Sequence, residues 1–494
     1  MDNKAAYQAL TSRDVRFDGV FFVGVTSTGI YCRPICPVKA PRQENCLFFD
    51  SAEAAEKASF RPCLRCRPEL APGNAPVDSA HRIAGLLVQR IDESGAEDGE
   101  SLETIAGQLG ISSRQLRRIV QQQLGVSPRE LKQTRRLLLA KQLLTETQLP
   151  VTEIAFASGF SSLRRFNDAF NRQYRMAPSR LRKAAAEQHN GFTAAETSTL
   201  QLSYRPPYDW QAILAFLSLR AIKDVELIAD DSYARTVRLG GCSGWVRVTH
   251  APAKHALMVE FTHSLTSVLP ALLGRLRNLF DLAARPDLIA AHLQQQPLLQ
   301  QSLLSNPGLR VAGAFEGFEM AIRAILGQQI TVKAATTIAC RFADAFGEPI
   351  TTPFTELSRL SPLATRIAEA SIDDIASLGI VSARARCIIA MAQACAAGEL
   401  KLEAGTDPDK AIAQLVMLPG IGQWTANYIA MRALRWPDAF PKEDIAVRNN
   451  LGGVSAKQAE EMSQAWRPWR SYAVMHIWKN MSAKKKRPAG GDDC

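Results

Sequence analysis

Between Leu102 and Val120 apolar residues recur every three or four positions: Leu102, Ile105, Ala106 and Leu109, then Leu116, Ile119 and Val120 beyond a Ser-Ser pair. That spacing follows the turn of a helix, so the stretch predicts short amphipathic helices broken at Gly and Ser. A different period governs VRLGGCSGWVRVTH (237–250) and HALMVEF (255–261), where apolar and polar positions alternate. Alternation buries one face of a strand, and the region before about residue 305 is expected to hold a small antiparallel sheet. The remainder is mostly helical in pattern. No uninterrupted apolar run approaches the roughly 18 residues of a membrane span. Three compositional breaks read as linkers: PELAPGNAPVD (68–78), AAAEQHNGFTAAETST (184–199) and KKKRPAGGDDC (484–494). The expected units are a Cys-rich head (1–75), a basic helical middle (80–185), a sheet-bearing region (200–305), a helical region (306–480) and a basic disordered tail (481–494).

With 494 residues the chain is long enough for roughly three domains. A composition of 46% hydrophobic and 22% charged residues excludes disordered and collagen-like classes. The opening MDNKAAYQALTSRD lacks the features of a secretory signal, which implies a cytoplasmic protein. In that reducing setting the ten cysteines are metal ligands, reactive thiols or core residues rather than disulfides. The net charge of +11 favours nucleic acid as partner. It is concentrated: from Thr104 to Ala185 there are fifteen Lys or Arg against four acids, and the rest of the chain balances to zero.

The basic stretch contains an internal echo. IAGQLGISSRQLRRIVQQQLGVSPREL (105–131) is followed by IAFASGFSSLRRFNDAFNRQYRMAPSRL (154–181), each reading as helix, Gly turn, capping Ser pair, Arg-bearing helix and Pro-containing stop. Two helix-turn-helix units account for positions that repeat together, whereas a plain bundle with solvated Arg faces does not. With the long helix around RRLLLAKQLL, the stretch resembles the DNA-binding domain of the AraC family. The resemblance implies double-stranded DNA as partner. It also implies that helices Ser112–Gln123 and Ser161–Gln173 enter successive major grooves, with Arg114, Arg117, Arg164 and Arg165 contacting bases or phosphates.

In the head, Cys32 and Cys36 (CRPIC) and Cys63 and Cys66 (CLRC) form two tight pairs separated by 26 residues. Such pairs suit a tetrahedral zinc, with sulfurs at about 2.3 Å. Four thiolates without an open position usually hold a structural metal. Six neighbouring basic residues, Arg33, Lys39, Arg42, Arg61, Arg65 and Arg67, suit instead a phosphate backbone beside the sulfurs, and spacing leaves both readings open. From RFDGVFFVGVTSTGIYCRPICPVK (16–39) through NCLFFDSAEAAEKASFRPCLRCRPEL (45–70), the segment resembles the N-terminal domain of Ada adaptive-response regulators. That resemblance implies that Cys32 takes a methyl group irreversibly from a DNA methylphosphotriester. Cys36, Cys63 and Cys66 would complete the Zn(2+) site with it, and the methylated protein would activate transcription with RNA polymerase as a further partner. Zinc keeps the thiols ionised, and methylating one thiolate removes one negative charge that repels DNA. Cys46, outside the pairs, reads as a core thiol. The PCHRV-type motif of a second methyltransferase domain is absent from the sequence, so reversal of O6-alkylguanine is not implied.

The C-terminal region contains LVMLPGIGQWTANYIAMRALRWPDAFPKEDIAVRNNL (415–451), two helical segments joined by LPGIG. Gly420 and Gly422 permit close backbone approach, and the amides of the following helix can hold a DNA phosphate. Asp444 follows Gly422 by 22 residues. Together with YRPPYDWQAILAFLSLRAI (204–222), FEMAIRAILGQQITVKAAT (318–336) and WRPWRSYAVMHIW (466–478), this resembles the AlkA-type 3-methyladenine DNA glycosylase II over nearly all of residues 200–480. The resemblance implies that Asp444 is the catalytic aspartate, the alternative being a cap on the following helix. Trp424, Tyr428 and Trp478 would line the flipped-base pocket, where cationic alkylated purines stack on electron-rich rings. Gln329 stands where the family member compared inserts a leucine wedge. Trp424 occupies the position of the Schiff-base lysine of strand-cleaving relatives, which implies a monofunctional enzyme.

The resulting expectation is a multidomain α+β protein. It comprises a small zinc-bound α/β head, an all-α double helix-turn-helix domain, a small antiparallel sheet subdomain and an all-α helix-hairpin-helix glycosylase domain. It would act as a monomer, without a membrane partner, as an alkylation-repair glycosylase and a methylation-sensing activator. The competing expectations are a transcription factor with a non-catalytic glycosylase-like part, and a glycosylase with a purely structural zinc head. The Lys484–Arg487 run reads as a solvated terminus, a localisation signal or a DNA contact.

Overall fold

The computed structural model describes residues 3–72, 87–88, 90–91, 101–108, 111–186, 196–403 and 405–486. The head carries helix α1 (Asn3–Thr11), strands β1 (Phe22–Val25), β2 (Ile30–Cys32) and β3 (Cys46–Phe49), helix α2 (Ala52–Lys57) and strand β4 (Arg61–Pro62). Its sheet runs β3-β1-β2-β4, with β1 antiparallel to β2 and β3 and β2 parallel to β4.

The basic middle is helical throughout its described residues: α3 (Leu102–Gln108), α4 (Ser113–Leu124), α5 (Pro128–Glu146), α6 (Val151–Ala157), α7 (Leu163–Tyr174) and α8 (Pro178–Ala186). Helix α5 starts from a capping box of Ser127 and Glu130 with Pro at its first position, which satisfies donors that a helix end leaves open. The two echoed units differ by one residue from the expected alignment. Ser112, the first of its pair, caps α4, whereas Ser162, the second of its pair, caps α7. The second helix of the second unit therefore spans 163–174, where the resemblance implied 161–173. Core packing sets this slip, because it brings Phe166 and Phe170 to the buried positions that Leu116 and Val120 hold in α4.

The expected sheet has five antiparallel strands, β5 (Thr197–Ser203), β6 (Glu226–Ala229), β7 (Ser232–Leu239), β8 (Cys242–Ala251) and β9 (Ala256–Thr262), in the order β5-β9-β8-β7-β6. Alternation along β9 buries Leu257, Val259 and Phe261, as a one-sided sheet requires. Helix α9 (Trp210–Ser218) connects β5 to β6. After the sheet come α10 (Leu269–Leu279), α11 (Pro286–Leu293), α12 (Pro297–Ser305), α13 (Gly317–Leu326), α14 (Val332–Phe346), α15 (Ala364–Ala368), α16 (Ile372–Ala376) and α17 (Ser382–Ala396). The chain ends in α18 (Pro408–Met417), α19 (Gln423–Arg432), α20 (Ile445–Asn450), α21 (Ala456–Ser463) and α22 (Arg470–Lys486). The tail expected from residue 481 thus begins as helix: α22 continues its backbone hydrogen bonding to Lys486, and residues 487–494, with Arg487, lie outside the described residues. Among the described residues no helix is long and apolar enough to cross a membrane.

The units do not hang as separate beads. One buried cluster joins Leu143, Phe166 and Phe170 of the helical middle to Leu200, Tyr233 and Phe280 of the sheet region. The head docks on α5 through polar contacts: Lys141 pairs with buried Glu69, Thr134 donates to Glu56 at 2.7 Å, and Arg135 pairs with Glu53 at 2.8 Å. A second cluster centres on α13, α17 and α19, and a third packs α11 and α12 against α22.

Candidate functional site

Parallel pairing of β2 with β4 brings the two cysteine pairs together. Tyr31 is registered with Pro62, and the Cys63 amide donates to the Tyr31 carbonyl at 2.9 Å, so Cys32 and Cys63 follow from adjacent strand ends. A turn closed by the Cys36 amide on the Arg33 carbonyl returns Cys36 to the same place. The four sulfurs of Cys32, Cys36, Cys63 and Cys66 lie within 4.8 Å of one another, and all four residues are buried. Their protonation is mutually dependent. Hydrogen bonds, from Cys36 first for Cys32 and from Cys32 first for Cys66, push these two thiols up, while hydrogen bonds led by Cys32 hold Cys36 and Cys63 down. Four thiolates this close need a dication to stay ionised together, and an all-sulfur donor set fits Zn(2+). Cys46 stands apart on β3, its thiol donating to the Arg42 carbonyl at 3.3 Å.

Two of the six basic residues expected beside the sulfurs are committed elsewhere. Arg33 is buried in an ion pair with Asp18 and donates to the Cys66 carbonyl, and Arg67 pairs with Glu69 and Glu146. A buried cation without a carboxylate costs several kcal/mol, of order 3 to 5, so these two stabilise the head rather than reach for phosphate. Lys39, Arg42 and Arg65 are exposed.

On the helical middle, Arg114, Arg117, Arg164 and Arg165 are all exposed. Arg114 and Arg164 each occupy the second position of their helix, a match the slipped caps create. Arg117 pairs with Glu103 at 3.0 Å.

The third group gathers around α19. Loop 418–422 turns at Gly420 with φ +85°, a left-handed conformation that disfavours a side chain, and Gly422 caps α19. The helix presents Trp424 and Tyr428 one turn apart, with rings parallel at 5.2 Å. Asp444, expected to be either catalytic or a helix cap, is the N-cap of α20 and keeps its carboxylate on a cavity wall. Its Oδ1 accepts from the Val447 amide at 2.9 Å and from Trp478 Nε1 at 3.3 Å, while Oδ2 accepts from Trp424 Nε1 at 3.0 Å. Capping α20 is therefore what orients the carboxylate toward both indoles. Asp444, Trp424, Tyr428 and Trp478 line one cavity of about 330 Å³. Gln329 is exposed at φ +58° in the loop between α13 and α14. Its neighbour Gln328 donates to the Gly420 carbonyl and Thr425, both at 3.0 Å, which ties that loop to the hairpin.

Sequence reasoning missed the charged wall of this cavity. Arg220, Glu226, Arg235, Glu319, Arg323 and Arg432 also line it. One signal was present: Arg432 stands four residues after Tyr428, on the same helical face.

Four family profiles match the chain: Metal binding domain of Ada at 5–69, Helix-turn-helix domain at 105–184, AlkA N-terminal domain at 199–316, and HhH-GPD superfamily base excision DNA repair protein at 322–471. A Mycobacterium tuberculosis protein, named as a probable bifunctional transcriptional activator/DNA repair enzyme AlkA, is 37% identical over 485 residues, 97% of each chain. DNA-3-methyladenine glycosylase 2 of Escherichia coli K12 is 35% identical over 277 residues, 56% of this chain and 95% of its own. The bifunctional transcriptional activator/DNA repair enzyme AdaA of Bacillus subtilis is 31% identical over 189 residues, 37% of this chain and 86% of its own.

Proposed function

The chain belongs to the family of bifunctional transcriptional activator/DNA repair enzymes, with an Ada-type zinc head, a helix-turn-helix part and an AlkA-type DNA glycosylase, and on that premise we propose how its residues divide the work. The C-terminal part hydrolyses the N-glycosidic bond of alkylated bases such as 3-methyladenine. As the bond from C1′ to the base breaks, its electron pair leaves with the base, and the Asp444 carboxylate faces the positive charge that develops on the sugar. Water then adds to C1′ and loses its proton by way of Asp444. Three N–H donors hold that carboxylate still, so little reorganisation is needed when charge appears. Trp424 and Trp478 receive the flipped base by stacking, Tyr428 lines the same pocket beside them, and Gln329 at its exposed loop fills the gap left in the duplex. Trp424 offers no amine for a Schiff base, which supports release of the base with the strand intact. Gly420, Gly422 and the first amides of α19 hold a phosphate of the duplex.

In the head, bound zinc supplies the positive charge that keeps the thiols ionised. Cys32 attacks the methyl carbon of a methylphosphotriester; an S–CH₃ bond forms, the CH₃–O bond breaks, and the electron pair stays on the phosphodiester oxygen. Its surroundings support this choice. Backbone amides donate to Cys66, Cys36 and Cys63, and none acts on Cys32 among the described residues, so its nucleophilicity is damped least. Methylation then lowers the repulsion between head and DNA. The exposed Arg114, Arg117, Arg164 and Arg165 grip promoter DNA, and the monomer recruits RNA polymerase.

The indole-clasped Asp444 carries the glycosylase assignment. Release of 3-methyladenine from methylated DNA is expected from the wild type and not from Asp444→Asn; equal release by both overturns it. For the head, mass spectrometry after exposure to methylphosphotriester DNA should find one added methyl group in the wild type and none in Cys32→Ala. Methyl gain by that variant removes Cys32 as the acceptor, and gain by neither protein leaves the zinc purely structural.

A further inference from the structure

Tyr428 is held in a way that stacking does not require. Arg432, one turn further along α19, donates from Nη1 to the phenol oxygen at 2.9 Å. Its Nε and Nη2 are fixed on the carbonyls of Ala312 and Gly313. Arg220, just beyond α9, is the second guanidinium whose charge acts on the same phenol. The two cations flank Phe216, with guanidinium carbons 3.8 Å and 4.7 Å from its ring centroid. Tyr428 and both arginines line the cavity that also contains Asp444.

A phenol has two acceptor lone pairs and one O–H. With the Arg432 donor on one lone pair, the hydroxyl is free to donate its own proton, and the two nearby cations polarise it. Among the described residues no protein acceptor takes that proton. Burial alone would push the Tyr428 phenol up, but the charges of Arg432 and Arg220 and the hydrogen bond from Arg432 outweigh it and bring it below the usual tyrosine value.

The other charged groups around the cavity nearly cancel. Arg323 of α13 pairs with Glu226 of β6 and Glu319 of α13, and Arg235 of β7 pairs with Glu319. Arg220 and Arg432 thus remain as the cations of the cavity wall without a carboxylate partner in these pairs, and negative charge developing at the phenol is favoured beside them.

We propose that Tyr428 donates its proton to the departing base, and that Arg220 and Arg432 are positioning residues that aim the hydroxyl and stabilise the phenolate left behind. The proposal rests on the glycosylase reading of this pocket. For a neutral damaged base, the C1′–N bond breaks with its electron pair moving onto the base, and the phenol proton forms a new N–H or O–H bond there. Water supplies OH to C1′, and the proton it gives up restores the phenol through solvent. A base with a fixed positive charge, such as an N-alkylated purine, leaves neutral and needs no proton. The donor therefore extends the range of the site toward neutral lesions.

The test uses the full zinc-loaded protein in single-turnover release from duplexes carrying 7-methylguanine, a cationic base, or hypoxanthine, a neutral one. Tyr428→Phe should slow hypoxanthine release by about 100-fold and 7-methylguanine release by about 5-fold or less, the difference being the usual scale of general acid catalysis. Between about pH 6 and pH 10 the wild type should lose hypoxanthine release on an alkaline limb that 7-methylguanine release lacks, because only the former requires the protonated phenol. Arg220→Gln should move that limb to higher pH. Arg432→Lys should retain more hypoxanthine activity than Arg432→Gln, with thermal melting as the check that each variant folds. Equal losses on both bases in Tyr428→Phe, an unmoved limb in Arg220→Gln, or a wild type that releases 7-methylguanine but not hypoxanthine overturns the proposal while the glycosylase reading stands. Release of neither base by the wild type overturns both.

Discussion

Asp444 shows how one side chain can serve fold and chemistry together. Its Oδ1 caps α20 while both oxygens meet indole N–H groups, so a substitution must be chosen to separate the two roles. Asn is as good an N-cap as Asp. Asp444→Asn keeps the cap but turns an NH2 toward the Trp424 N–H, so it should cost about 1 to 2 kcal/mol of stability while lowering base release by about 100-fold or more, the scale of losing a preorganised charge at a developing cation. Melting and single-turnover assays on one preparation check both halves. Trp424→Phe keeps a ring for stacking but removes one donor to Oδ2, and a loss of about 10-fold in rate is expected, from one hydrogen bond to a charged group. Asp444 and the four cysteines were legible in sequence because their chemistry lies in short motifs. The roles of Arg220 and Arg432 were not, since Arg220 joins Tyr428 only when the segment after α9 packs against α19.

Elements impose their own requirements. Gly420 holds φ +85° at the turn between α18 and α19, and a Cβ there would meet the Cys387 side chain at 3.3 Å. Gly420→Ala should cost about 1 to 2 kcal/mol of stability, from left-handed strain, measurable by denaturant unfolding. Helix α2 supplies a pH-dependent contact with α5. Glu56 is half-buried, accepts from Thr134 and Tyr31, and the loss of water around its carboxyl raises it from 4.5 to about 7. A raised carboxyl binds its proton more tightly folded than unfolded, so stability falls as pH rises through the window from about 4.5 to 7. The wild type should be less stable at pH 8 than at pH 5.5, by about 2 kcal/mol from this group, and Glu56→Gln should flatten that dependence. Strand and helix periods made most of these elements readable. The one-residue slip between α4 and α7 was not, because aligning the Ser pairs carries no information about which serine points toward the helix amides.

At the scale of the whole molecule, Arg205 links the zinc head to the repair half. It is 1% exposed. It donates to the carbonyls of Asp18 and Pro72 in the head and to those of Ala283 and Ala284 beyond the sheet. Asp18 in turn pairs with Arg33, whose amide donates to the Cys66 sulfur. Arg205→Ala strands those carbonyls, at about 1 to 3 kcal/mol for each group left unsatisfied. Calorimetry should then resolve separate melting of head and repair half where the wild type gives a shared transition. By itself the sequence determined the zinc quartet, the two helix-turn-helix units, the sheet and the hairpin with its aspartate, because each is written in residue types at short, fixed spacings. Only the tertiary structure decided that Arg33 and Arg67 serve the fold, that two guanidiniums converge on Tyr428, and that Arg205 binds head to glycosylase. Those outcomes depend on which buried charges and carbonyls meet across distant segments, where the cost of an unpaired group selects the partner and local pattern is silent.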